Sequence, residues 1–272
     1  MEESEYLIII GAMKSGTTSL YKYISSHKKI CPCSEKEPEF FFENQSHGSS
    51  VDKYEDLWSC GRKYKYKIEA STGYTKYPFE KRVPKRMKKY GISPKMIYIV
   101  RNPIERIKSQ HKFEKIYFNR EKESFIDPKL IELSKYNRQL QVFIDVFRNK
   151  DKFLVLDFEE LKERPSDLLD RCASFLGIEN TFGIEEQQAA NRTPRRKLDL
   201  WLSRMGKLKN VIGRRLPQGV RRGLKRSVRW ITPEVEGAEM GPAEREKIRE
   251  ELRPDIERFS RNFQFDVSKW GF

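Results

Sequence analysis

The chain has 272 residues, a formal net charge of +15 and 35 % charged residues. A chain of this length can bury about three quarters of its unfolded surface within one α/β domain. The charge favours an anionic partner such as a nucleotide, an acidic glycan, a membrane surface or a nucleic acid. Without a recognisable signal peptide or an apolar run long enough to span a bilayer, we expect a cytoplasmic protein.

The four cysteines are Cys31, Cys33, Cys60 and Cys172, and only three histidines accompany them. None of the cysteines forms a CxxC pair, so the sequence shows no zinc or redox motif. We therefore expect reduced thiols, with Cys31 and Cys33 as plain side chains.

The first element is an apolar, β-branched run, Leu7 to Ile10, which predicts a buried strand closed by Gly11. A helix is expected from about Thr17 to His27. Between them the chain reads KSGTT over 14–18, where a lysine, hydroxyls and helix N-terminal amides converge on one spot. Such a spot suits a phosphate or similar oxyanion. The alternative is an ordinary βα turn with an incidental lysine.

The next segment, 31–42, combines dense charge with Phe40, Phe41 and Phe42. The aromatic rings would anchor the segment and hold its carboxylates in place, although a solvated loop with a hydrophobic plug is the simpler interpretation. A second strand is predicted over Tyr66 to Ala70, followed by a small-residue turn and a helix from about Phe79 to Tyr90.

A third strand, Met96 to Val100, ends at Arg101. Asn102 is a good N-cap, with Pro103 at N1, so Ser109 lies about two turns into the helix that follows. The remaining pattern predicts a helix over 128–149, a fourth strand over 153–156, and helices over 165–176 and 242–263.

Strands that alternate with helices predict a parallel sheet with right-handed crossovers. Ligands of such sheets bind at the carboxyl ends of the strands, so Lys14, Arg101 and the turn 71–73 are expected to share one cleft. We predict an α/β, P-loop-like three-layer fold, a single domain over 1–272 with its core at 5–180, a basic insertion at 192–231 and a C-terminal helix and tail at 242–272.

The basic charge is concentrated in 192–229, which holds fourteen Lys or Arg residues and one acid, Asp199. Its apolar residues keep helical spacing, which predicts two short cationic amphipathic helices. They could dock on the body with a solvated basic face, contact a membrane surface, or guide an anionic polymer. Only Trp201 and Trp230 accompany the charge, which argues against a nucleic-acid stacking platform.

The oxyanion loop departs from the Walker phosphate loop, because Lys14 precedes Gly16 and no Gly-Lys-Ser/Thr follows. The acids after the fourth strand, Asp157 and Glu159, are poor magnesium ligands for this cleft. These departures weaken the interpretation as a nucleotide-dependent kinase, which is kept as an alternative. A membrane-surface module that uses 192–229 is a second alternative.

Four segments resemble sulfotransferases that use 3′-phosphoadenosine 5′-phosphosulfate (PAPS). The stretch 14–20 (KSGTTSL) is similar to their 5′-phosphosulfate loop, and 100–109 (VRNPIERIKS) to their 3′-phosphate motif. The stretch 36–41 (KEPEFF) resembles the Lys-Glu-x-His-Phe-Phe segment of the heparan sulfate branch, and 69–74 (EASTGY) falls where that branch has Glu-Lys-Thr-Pro-x-Tyr. Order and spacing agree over about residues 5–180, and the C-terminal pattern looks like bacterial members.

The resemblance implies transfer of a sulfuryl group to a hydroxyl or amine without a metal, releasing adenosine 3′,5′-bisphosphate. Lys14 would stabilise the leaving phosphate and Glu37 would take the proton of the attacking group. The donor-binding residues implied are Lys14, Ser15, Gly16, Thr17, Thr18, Ser19, Arg101 and Ser109, joined near the 3′-phosphate by Arg195 and Arg196. The implied substrate contacts are Lys36, Glu69, Ser71 and Thr72.

Ala70 stands where the heparan sulfate branch has a lysine, so one contact is missing or supplied elsewhere. Glu39 and Glu69 stay open as alternatives to Glu37 as the base. The acceptor expected from the resemblance is a glycan, a glycolipid or another hydroxyl-bearing molecule, with no nucleic acid. A peripheral contact at the inner membrane face through 192–229 is compatible with it.

Overall fold

The computed structural model describes residues 5–42, 54–61, 63–118, 124–183 and 239–272. Within them, five strands form one sheet in the order β2-β3-β1-β4-β5, and all neighbours pair in parallel. The strands are β1 (Glu5–Gly11), β2 (Ile30–Pro32), β3 (Tyr66–Ala70), β4 (Lys95–Val100) and β5 (Phe153–Asp157). The four predicted strands are confirmed, whereas β2 escaped prediction because three residues are too few to show a period.

The described helices are α1 (Thr17–Ser25), α2 (Val83–Lys89), α3 (Pro103–Phe118), α4 (Pro128–Glu132), α5 (Tyr136–Phe147), α6 (Phe158–Glu163), α7 (Pro165–Leu176) and α8 (Pro242–Phe263). They cover both faces of the sheet. Because successive residues of a strand point to opposite faces, each strand contributes side chains to both layers. Ile8 and Ile10 pack in a cluster with residues of α2, α5 and α8, whereas Leu7 and Ile9 pack with residues of α1 and α7. The predicted three-layer α/β fold is confirmed.

The predicted helix over 128–149 is in fact two helices, α4 and α5. The guanidinium of Arg106 is fully buried and donates to the Leu130 carbonyl (2.7 Å) and to Ser134 Oγ (2.8 Å) at the break. The Asp255 carboxylate of α8 accepts from the amides of Asn137 and Arg138 at the start of α5. Both groups come from distant segments, so local periodicity could not reveal the interruption.

Two other predicted helices have different outcomes. The stretch from Phe79 to Tyr90 begins as a 3₁₀ turn, Phe79–Lys81, and continues as α2. The C-terminal helix runs over the predicted residues, and its apolar edge, from Ile248 to Phe259, is buried. The basic insertion 192–231 lies outside the described residues and stays a prediction.

The expectation of plain thiols is wrong for Cys31, which forms a disulfide with Cys60. Their Cα atoms lie 6.2 Å apart, although 29 residues separate them along the chain. Two hydrogen bonds hold the segment before Cys60 against the residues after β2 and against β3. They run from the Ser34 amide to the Leu57 carbonyl and from Trp58 Nε1 to the Ile68 carbonyl. Cys33 and Cys172 are free and buried.

Candidate active site

The loop between β1 and α1 is shaped by two residues with left-handed backbone, Lys14 (φ 69°) and Gly16 (φ 86°). A Cβ on Gly16 would lie 2.4 Å from the Phe158 ring, so only glycine fits beside that ring. Gly16 is also the N-cap of α1, whose first amides have no partner within the helix. The loop therefore presents backbone N–H groups, the Thr17 and Thr18 hydroxyls and a positive helix end to the same space.

The Lys14 ammonium lies 4.0 Å from the centroid of the Phe113 ring. Phe113 is four residues after Ser109 on α3, so one face of this helix carries both side chains. An aromatic face attracts a cation and keeps it partly desolvated. The arrangement holds the lysine head group at the cleft rather than out in bulk water.

Arg101 follows β4 directly, and both its backbone carbonyl and its guanidinium are held by other residues. Its carbonyl accepts from the Tyr136 hydroxyl at 2.7 Å, and its guanidinium stacks 4.9 Å from the Phe158 ring centroid. Two carboxylates, Glu105 and Glu159, each approach the guanidinium to 3.9 Å, which is too long for a direct hydrogen bond. A phosphate can therefore gain short charge-assisted contacts with Arg101.

The other charged residues at the cleft come from the segment after β2 and the turn after β3. The Thr72 hydroxyl donates to Glu37 Oε2 at 3.3 Å, and Lys36 Nζ lies 3.8 Å from Glu37 Oε1. Lys76, at the end of the 3₁₀ turn Thr72–Thr75, also lines the cleft. The Glu37 carboxylate thus lies between the ammonium of its neighbour Lys36 and the hydroxyl of Thr72, which is 35 residues away in the sequence.

These groups surround one cleft of about 560 Å³. Ten of the predicted site residues line it, namely Lys14, Gly16, Thr17, Thr18, Ser19, Lys36, Glu37, Thr72, Arg101 and Ser109. We call the set Lys14, Gly16, Thr17, Thr18, Ser19, Arg101 and Ser109 the Lys14 side, and the set Lys36, Glu37, Thr72 and Lys76 the Glu37 side. Arg195 and Arg196 lie outside the described residues.

Three predicted site residues are placed elsewhere. Ser15 is buried beneath the loop, and Glu69 and Ser71 are buried behind the Glu37 side. Glu69 accepts hydrogen bonds from the hydroxyls of Tyr54 (2.7 Å), Ser71 (2.6 Å) and Tyr74 (2.8 Å). A substrate contact was expected of Glu69, and its carboxylate is instead enclosed by these side chains and does not line the cleft. Burial raises the pKa of Glu69, and the three hydroxyl donors partly oppose that shift.

Five cleft residues escaped prediction: Met13, Lys76, Gln110, Phe113 and Phe158. A helical signal for two of them was available, because Gln110 and Phe113 neighbour Ser109 on α3. Lys76 and Phe158 gave no local signal, since a surface lysine and an aromatic after a strand are common. Within the described residues there is no group of three or more side chains that could hold a metal ion, and no helix is long and apolar enough to cross a bilayer.

A family model described as "Sulfotransferase domain" matches residues 4–229. The chain belongs to the sulfotransferase family. Membership places it among transferase enzymes, in agreement with the resemblance of the two phosphate motifs.

Two curated relatives of this sulfotransferase carry heparan sulfate names. Human heparan sulfate glucosamine 3-O-sulfotransferase 5 is 27 % identical over 188 residues, which cover 63 % of this chain and 53 % of that protein. The bifunctional heparan sulfate N-deacetylase/N-sulfotransferase 1 of Xenopus laevis is 23 % identical over 208 residues, or 67 % of this chain and 23 % of that protein. The chain therefore matches about half the length of the first relative and a smaller part of the second.

Among solved structures, a sulfotransferase from Alicyclobacillus acidocaldarius has a TM-score of 0.67 to this chain. The comparison covers 100 % of both chains at 22 % identity. At that identity the likeness concerns the fold, which is the parallel sheet with helices on both faces.

Proposed function

We propose that this sulfotransferase moves the sulfuryl group of PAPS to a hydroxyl or amine of a carbohydrate or glycolipid acceptor. The observation that carries the proposal is that Lys14, Arg101 and Glu37 line one cleft. Two cations and a helix N-terminus suit a donor with two separate phosphates, and a carboxylate suits the acceptor. The heparan sulfate relatives support a carbohydrate acceptor.

The residues of the Lys14 side suit PAPS, because they combine positive charge with a glycine that lets a phosphate approach the backbone closely. Gly16 and the hydroxyls of Thr17 and Thr18 would surround the 5′-phosphate, and Arg101 with Ser109 would bind the 3′-phosphate. A triphosphate without a 3′-phosphate would leave the Arg101 contact unused. This second anion contact favours PAPS over ATP as the donor.

In the transfer, the acceptor oxygen forms a bond to sulfur as the bond from sulfur to the 5′-phosphate oxygen breaks. The acceptor proton passes to the Glu37 carboxylate, and the leaving electron pair stays on the 5′-phosphate. Lys14 stabilises the charge that develops on that phosphate. The products are the sulfated acceptor, adenosine 3′,5′-bisphosphate and one proton.

Transfer of radiolabelled sulfate from PAPS to a panel of glycans and glycolipids tests the proposal. We expect Lys14→Ala to lower kcat by about 10²–10³-fold, as for loss of one transition-state charge contact. We expect Glu37→Gln to lower kcat by about 10²–10⁴-fold through loss of the base.

Lys112→Ala and Glu35→Gln are matched controls, because both side chains are exposed and neither lines the cleft. The wild-type protein should bind adenosine 3′,5′-bisphosphate in a calorimeter. Absence of that binding, or product formation that needs ATP and Mg²⁺ instead of PAPS, would overturn the proposal.

A further inference from the structure

The segment that carries Glu37 has an unusual backbone. Glu37 (φ 55°) and Glu39 (φ 47°) both take left-handed conformations, on either side of Pro38. Few residues other than glycine adopt positive φ without contacts that hold them there. The contacts that hold this segment therefore decide where the Glu37 carboxylate lies.

Glu39 attaches the segment to the turn after β3 through both its backbone and its side chain. Its amide donates to Ser71 Oγ at 3.0 Å, and its Oε1 accepts from the Gly73 amide at 3.0 Å. Lys76 Nζ lies 3.7 Å from the same oxygen. Glu39 does not line the cleft.

The Glu39 carboxylate packs directly against the backbone of Gly73. A Cβ at position 73 would lie 2.5 Å from Glu39 Oε1. Gly73 does not have a positive φ, so its own backbone does not call for glycine. The close approach of the carboxylate is the physical reason for glycine at this position.

Ser71 is oriented in turn by the buried Glu69. The Ser71 hydroxyl donates its single proton to Glu69 Oε2 at 2.6 Å, which leaves its oxygen free to accept from the Glu39 amide. The Tyr54 and Tyr74 hydroxyls fix Glu69 from its other oxygen. Hydrogen bonds therefore connect the buried Glu69 carboxylate, through Ser71, to Glu39 in the 36–42 segment.

We propose that Glu39 is a positioning residue that docks the 36–42 segment on the Ser71–Gly73 turn and thereby holds Glu37, the base, at the cleft. This inference rests on the proposed function. It assigns different tasks to the three candidate carboxylates: Glu37 faces the cleft, Glu39 anchors the segment, and Glu69 orients Ser71.

The test compares Glu39→Gln, Glu39→Ala and Glu37→Gln for kcat, acceptor KM and the pH profile of kcat. In Glu39→Gln the side-chain amide oxygen can still accept from the Gly73 amide, so this variant should stay within about threefold of wild type. Glu39→Ala should instead lower kcat more than about tenfold by misplacing the base. The acid limb of the pH profile should persist in both Glu39 variants and disappear in Glu37→Gln.

Gly73→Ala should behave like Glu39→Ala, because the added methyl group displaces the carboxylate. Gly61→Ala is its matched control, since a Cβ there meets nothing within 4 Å and its φ is not positive. Circular dichroism checks that each variant folds. Hydrogen exchange of 36–42 supplies a readout independent of activity, and we expect faster exchange in Glu39→Ala than in Glu39→Gln.

Two results would overturn the inference: kcat in Glu39→Gln as low as in Glu37→Gln, or wild-type kcat and exchange in Glu39→Ala. Failure of the proposed function looks different. In that case the wild-type protein neither binds adenosine 3′,5′-bisphosphate nor transfers sulfate, while the exchange measurement still tests whether Glu39 anchors the segment.

Discussion

The Lys14 side and the Glu37 side of the cleft are held together by different kinds of contact. The Lys14 side stands directly at strand ends: the loop after β1 enters α1 at once, and Arg101 follows β4. The Glu37 side depends on hydrogen bonds between groups 32 to 35 residues apart. The Lys14 side is placed mainly by the strands that it follows, with Tyr136 and Phe158 packed against it, whereas the Glu37 side is placed by tertiary docking.

Under the proposed function, this difference separates donor binding from acceptor binding. Local geometry formed with the sheet suits a donor whose phosphates are always in the same place. A segment docked by side chains can change with few substitutions, which suits recognition of varied acceptors. Changes on the Lys14 side should therefore alter donor binding, and changes on the Glu37 side should alter turnover and acceptor use.

The largest change in stability is expected from the Cys31–Cys60 disulfide, since Cys31 lies in β2, the strand that leads into the 36–42 segment. Removing a cross-link between residues 29 apart, by Cys60→Ala, should lower the free energy of unfolding by about 3 kcal/mol. Urea unfolding measures the loss, and donor affinity of the folded protein should not change. Wild type in reductant should match Cys60→Ala, whereas Cys172→Ala, which removes a free thiol, should keep the wild-type response to reductant. A wild-type protein indifferent to reductant would contradict the prediction.

Gly16→Ala tests whether the Lys14 side depends on the shape of its loop. Both Gly16 and Gly91 have positive φ, but a Cβ at Gly91 meets nothing within 4 Å. Each alanine should cost about 1–2 kcal/mol of backbone strain. Only Gly16→Ala also collides with Phe158, so it should weaken binding of adenosine 3′,5′-bisphosphate by more than about 30-fold through displacement of the loop. Equal affinity in the two variants, measured by calorimetry, would show that the loop tolerates the collision.

Arg101→Ala should weaken the bisphosphate by about 10–30-fold, the value of a charge-assisted contact, and leave adenosine 5′-monophosphate affinity unchanged. Glu159→Gln should have the opposite sign. Removing a carboxylate 3.9 Å from the guanidinium should tighten bisphosphate binding by about threefold. Calorimetry of both nucleotides checks the pair. If Arg101→Ala lost the same affinity for both nucleotides, Arg101 would not be a contact of the 3′-phosphate.

The smallest expected effect concerns pH and Glu69. Burial raises the pKa of Glu69 above its ordinary value near 4.5, so the folded state binds more protons than the unfolded state between the two values. The contribution of Glu69 to stability is therefore full below about pH 4.5 and is lost as pH rises through the folded pKa. Glu69→Gln should gain stability relative to wild type as pH rises above about 4.5, because the wild-type carboxyl then loses its buried proton. Parallel pH curves from urea unfolding would contradict this.

Much of the Lys14 side could be predicted because its signals are local. An apolar run before Gly11 predicted β1, and Asn102 predicted the start of α3, where its Oδ1 accepts from the Ile104 amide at 2.9 Å. The break between α4 and α5 could not be predicted, since Arg106 and Asp255 reach it from other helices. The pairing of Cys31 with Cys60 could not be predicted either, because the two cysteines are 29 residues apart and meet only in the folded chain.

Four of the five described strands, most of the helices, the family and the residues of the proposed phosphate-binding loop could be predicted from the sequence alone. These depend on apolar periodicity, caps and glycines, whose effects extend over a few residues. The burial of Glu69, the contact of Glu39 with Gly73 and the position of Lys76 at the cleft could be seen only in the folded structure. Those outcomes depend on which surfaces meet across the fold, and side chains from distant parts of the chain come together only when the sheet has formed.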